Sequence, residues 1–142
     1  MWFSAMAFLA FRSIEGLRDL LSHRKREVRL EAIGALLAKG ARAASATSAL
    51  VRASLLDEDE RVRDAALYAA REVGGQQAVR EILARLKDRS ARTRCAALWA
   101  LGRVGSPSVT LPTFVIFLDD PERSVRERAA DELRLAGPDA RN

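Results

Sequence analysis

Apolar residues recur along this chain at spacings of three and four, and the phase resets every thirty-odd residues. Around Thr93 they fall at Thr93, Ala97, Leu98 and Leu101, one face of an α-helix. A second stripe, Val79, Ile82 and Leu86, lies just upstream and predicts a helix that turns back onto the first. The same pair of stripes occurs four times. Setting position zero at Val28, Val62, Thr93 and Val125 gives spacings of 34, 31 and 32 residues. Arginine follows each anchor (Arg29, Arg63, Arg94, Arg126). Alanine stands four residues on (Ala32, Ala66, Ala97, Ala129), and glycine twelve residues on (Gly40, Gly74, Gly105, Gly137). Leucine precedes each anchor by seven (Leu21, Leu55, Leu86, Leu118).

The pattern predicts helices over 4–21, 27–39, 46–56, 60–73, 77–87, 91–104, 110–118 and 121–135. The phased glycines are expected to end the second helix of each pair by adopting a left-handed conformation, with Pro107 and Pro138 reinforcing two stops. Asp59, Ser90 and Asp120, the last followed by Pro121, read as helix N-caps; the first pair has His23-Arg24-Lys25-Arg26 there instead. A lone hairpin leaves its apolar face exposed, and stacking buries it. The expected fold is therefore all-α: an α-solenoid of about four stacked hairpins in a single domain over 1–142. The repeats run at about 14–40, 46–74, 77–105 and 109–137, with a tail at 138–142. Residues 1–13, nearly all apolar from Trp2 to Phe11, are expected to be a cap over the open end or the remnant of a further repeat. Trp2, Phe3, Phe8 and Phe11 would cover the first hairpin. Asp131, Glu132 and Arg134 would make the last helix a polar cap.

The segments Leu55–Gly74 (LLDEDERVRDAALYAAREVG) and Leu86–Gly105 (LKDRSARTRCAALWALGRVG) resemble HEAT-like repeats of the short bacterial type, also seen in phycobilisome lyase-like proteins. Leu118–Gly137 is similar apart from Ala136, and Leu21–Gly40 departs most, with no loop aspartate and Lys39 before its glycine. The resemblance covers Ile14 to Gly137. It implies a binding scaffold and says little about what is bound.

Composition narrows the chemistry. Aromatics make up 6% of the 142 residues, as expected of a core built from Ala and Leu. Twenty-four Lys and Arg against 19 Asp and Glu leave a net charge of +5, which permits an acidic partner, although every helix mixes both signs. A single cysteine, Cys95, excludes an internal disulfide and fits a reducing, cytoplasmic setting; the apolar start also admits a signal peptide. One histidine and one cysteine far apart cannot furnish a structural zinc site. His23 is expected in an exposed basic loop, and Cys95 has no neighbouring base in the sequence. No paired carboxylates, nucleophile motif or phosphate loop stands out, so no catalytic, cofactor or metal residues are expected. The N-terminal apolar run is too short to span a bilayer.

Two features could carry binding. The ladder Arg29, Arg63, Arg94 and Arg126 could hold phosphates or carboxylates, or could tie each repeat to loop acids such as Asp57, Asp59, Asp88 and Asp120; HEAT-like repeats resemble the second picture. Six residues past each anchor, where the family normally has a polar residue on the concave side, stand Gly34, Tyr68, Trp99 and Asp131. Tyr68 and Trp99, on adjacent repeats about 10 Å apart by helix packing, would form a partner-binding patch framed by Arg71 and Arg103, or would tuck sideways into grooves between helices. The expected function is a non-enzymatic scaffold for a protein or peptide partner on its concave face, with no membrane role and the oligomeric state left open. The alternatives are nucleic-acid binding through an arginine-rich concave face or edge, as in HEAT-like DNA glycosylases, and an enzyme or enzyme subunit resembling bilin lyases.

Overall fold

A computed structural model describes residues 8–140, with side-chain detail to residue 137. Among the described residues all regular structure is helical. The helices are α1 (Ile14–Leu20), α2 (Arg26–Lys39), α3 (Thr47–Leu56), α4 (Glu60–Gly74), α5 (Gln76–Arg85), α6 (Ala91–Val104), α7 (Pro107–Phe117) and α8 (Arg123–Ala140). A 3-10 segment, Gly40–Ala46, leads into α3. The chain divides into two compact units, with the boundary between Ala78 and Val79.

In the first unit α1 packs on α2, α3 on α4, and α2 on α4. The apolar stripes meet in a core of Leu17, Leu36, Leu50, Val51 and Val62, all essentially inaccessible to solvent. Alanines at the repeat-phased position, Ala32 and Ala66, are fully buried, which is what lets the helices approach closely. In the second unit α6 and α7 both pack on α8 around Leu98, Leu101, Phe114 and Val125. Full burial of such side chains stabilises by about 1.5–3 kcal/mol each, so this stripe dominates the energetics of both units.

Several local expectations are corrected. The first predicted helix, 4–21, is broken: residues 11–13 are non-helical, and the Ser13 hydroxyl accepts from the Gly16 N–H to start α1 afresh. Of the phased glycines only Gly40 has a positive φ, 58°. Gly74 is still helical and passes the left-handed stop to Gly75. Gly105 is extended, and α8 continues through Gly137. Gly105 is required for space instead, since a Cβ there would lie 2.9 Å from the Leu101 carbonyl oxygen and collide with Thr110. Pro107 begins α7 rather than merely ending α6, because a first-turn proline has no N–H to leave unpaired.

Asp59 and Ser90 do cap α4 and α6. Asp120 does not cap α8, which starts at Arg123, not 121; its carboxylate accepts from the Glu122 N–H instead. Leu21, Leu55 and Leu86 are buried, but Leu118 is 38% exposed at the end of α7. Glu132 is not part of a polar cap: it is buried, and only Asp131 and Arg134 pair on the outer side of α8. At the N-terminus Leu9 is buried while Phe8 and Phe11 are exposed, so these two rings do not cover the first hairpin. Trp2 and Phe3 lie outside the described residues.

Candidate functional site: an arginine register and an aromatic position

The arginine after each anchor makes the same contact four times. Its guanidinium donates to the carbonyl six residues earlier, at 2.8 Å in every case: Arg29 to His23, Arg63 to Asp57, Arg94 to Asp88 and Arg126 to Asp120. These carbonyls lie just past the first helix of each pair, where helix C-termini leave acceptors unpaired and a cation is favoured. Within a unit the same arginine also reaches the following loop. Arg29 pairs with Asp57 at 3.0 Å, and Arg94 grips both oxygens of Asp120 at 3.0 Å. All four of those side chains are nearly buried. Burial works against the Asp120 carboxylate. The Arg94 hydrogen bonds, the Glu122 N–H and the charges of Arg94 and Arg126 outweigh it and hold its pKa below the ordinary value.

The loop residue five before each anchor completes this arrangement. The carboxylates of Asp57, Asp88 and Asp120 each accept from the backbone N–H two residues on. In the first repeat that position is His23, whose Nδ1 accepts from the Lys25 N–H at 3.1 Å. His23 is half-buried and structural, rather than loose in a basic loop. The four arginines are therefore occupied by internal acceptors.

The aromatic position is different. Tyr68 projects from α4 in the first unit, 58% exposed, and Arg71 is exposed one turn along. Trp99 lies on α6 in the second unit, half-buried. The Arg103 guanidinium sits 4.6 Å from the centre of its ring and donates to the Trp99 carbonyl at 3.1 Å. A guanidinium over an indole is attracted by the ring's negative face, and the contact fixes both side chains.

Beside Arg103 the second unit has a pocket of about 380 Å³ between α6, α7 and α8. Glu132 borders it, 3% exposed, and its Oε1 has no hydrogen-bond partner. Arg103 and Arg128 stand 3.9 and 3.8 Å from that oxygen, charge neighbours beyond hydrogen-bonding range. Burial pushes the Glu132 carboxyl above its ordinary pKa, against the pull of the two arginines. Sequence reasoning missed Glu132, although the repeat register carried the signal: the equivalent positions are Ala35, Ala69 and Ala100. Among the described residues no cluster of three or more His, Cys, Asp or Glu could hold a metal ion, and no helix is long and apolar enough to cross a membrane.

An all-helical chain in which one sequence register recurs, each time with the same arginine contact, defines a helical repeat protein. A family profile for HEAT repeats matches residues 47–134, and the chain belongs to that family. The first repeat, which departs most from the pattern, precedes the matched span. A comparison with curated proteins found no match. HEAT repeats generally serve as protein-interaction scaffolds and are typically non-enzymatic.

Proposed function

We propose that this chain is a non-enzymatic binding scaffold: four hairpins, with the repeats at about 14–40, 46–74, 77–105 and 109–137, stacked as a short α-solenoid in one domain. It holds a protein or peptide segment through Tyr68 and Arg71 of the first unit and Trp99 and Arg103 of the second. The supporting observation is the state of the aromatic position. Tyr68 is exposed, and Trp99 is presented under a guanidinium rather than folded into the core. Tyr, Trp and Arg are the residues that most often dominate binding energy. A cytoplasmic setting fits the single unpaired Cys95.

Nucleic-acid binding is the second reading, supported by the net charge of +5. It is weakened by the occupation of all four ladder arginines by internal acceptors. The test is to capture partners with the intact chain, identify one, and titrate it against the Tyr68→Ala/Trp99→Ala variant. The variant should keep its helical content and lose about 2 kcal/mol or more of binding, the scale of a hot spot. Unchanged affinity overturns the site. Nucleic acid held by several arginines would instead lose affinity steeply between low and moderate salt, while a peptide on aromatic anchors would lose little.

A further inference from the structure

Three features of the second unit converge on Glu132. Its position belongs to alanine in the other three repeats, so the fold does not ask for a carboxylate there. The previous repeat makes room for it with Gly102, where a Cβ would collide with the Glu132 carboxylate. Yet the buried Oε1 receives no hydrogen bond, an arrangement that lowers stability unless something supplies a donor. The pocket beside it is bordered by Arg103 on one side and by Leu111, Phe114 and Leu135 on the other.

We propose that this pocket binds a neutral carboxamide, of the kind an asparagine or glutamine side chain of a partner segment presents, with its N–H on Glu132 and its C=O on Arg103. The choice of ligand follows from the charges. An ammonium would supply donors but would meet two guanidiniums within 4 Å of the same oxygen. A carboxylate would suit Arg103 but would face Glu132 with like charge and no proton to give. A carboxamide carries a donor and an acceptor side by side and no net charge. Its aliphatic stem lies against Leu111, Phe114 and Leu135. The guanidinium of Arg103, half exposed, lies near Oε1 and turns aside to admit the ligand, which moves it relative to the Trp99 ring. The inference rests on the scaffold reading and adds the chemistry of one contact.

The test uses the intact chain, isotopically labelled, with isovaleramide, isoamylamine and isovalerate as probes that share one isobutyl group. Isovaleramide should shift the backbone amide signals of Gly102, Gly105 and Leu135 saturably and change Trp99 fluorescence. Arg103→Met and Glu132→Met should each weaken it at least about fivefold; should Glu132→Met fail to fold, the half-exposed Arg103 still decides. No saturable shift, equal binding by the amine or the carboxylate, or full binding by Arg103→Met overturns the proposal. If isovaleramide fails while partner capture still depends on Tyr68, the pocket is wrong and the scaffold stands. If isovaleramide binds and capture ignores Tyr68 and Trp99, the scaffold surface is wrong and the pocket stands.

Discussion

Gly102 on α6 and the Glu132 carboxylate on α8 fit one another: a methyl group on Gly102 would occupy the space the carboxylate fills. Gly102 lies in the last turn of α6, and a glycine within a helix costs up to about 1 kcal/mol relative to alanine. Gly102→Ala should therefore destabilise the parent, because the buried carboxylate has to move. In a Glu132→Ala background the same change should stabilise by about 1 kcal/mol. Chemical denaturation of the four proteins measures the coupling; additive effects would show that the two residues do not share the space.

Glu132 also predicts a pH dependence. Its folded pKa is raised, so its contribution to stability is fully present below the ordinary carboxyl range and is lost as pH rises through the folded value. Glu132→Gln should melt above the parent at neutral pH, and the gap should close as the solution is acidified. Melting curves across that range check it; a gap that widens on acidification contradicts it.

Asp120 has the opposite sign. Its folded pKa is depressed by Arg94, so its contribution is present above the ordinary aspartate value and disappears as pH falls below about 4. Asp120→Ala should cost about 3 kcal/mol at neutral pH, because it leaves Arg94 nearly buried without its partner. The variant should also show a flatter acid limb than the parent.

His23 occupies the loop position that is aspartate in the other three repeats and already accepts the same backbone N–H. His23→Asp would place a negative charge among Arg24, Lys25, Arg26 and Arg29 while keeping that acceptor. It should stabilise by about 1 kcal/mol. Thermal melts of the two proteins side by side make the comparison, and a variant that melts at or below the parent contradicts it.

The all-helical class, the repeat register of the helices and the identity of the buried stripe follow from the sequence. Helical periodicity is a local property, and its fourfold recurrence in Val28, Val62, Thr93 and Val125 leaves little freedom. Local rules failed where a residue's role depended on its neighbour across a packing interface. Gly105 reads as a helix stop, but the lack of a side chain there and at Gly102 is required by Thr110 and Glu132 on other helices. The engagement of Arg29 and Arg94 with Asp57 and Asp120 joins residues 28 and 26 positions apart, a distance at which sequence offers candidates but not partners. Glu132 read as polar and therefore exposed, because charge sets the default. Only the packing of α8 against α6 and α7 put that carboxylate inside, beside a pocket and without a donor.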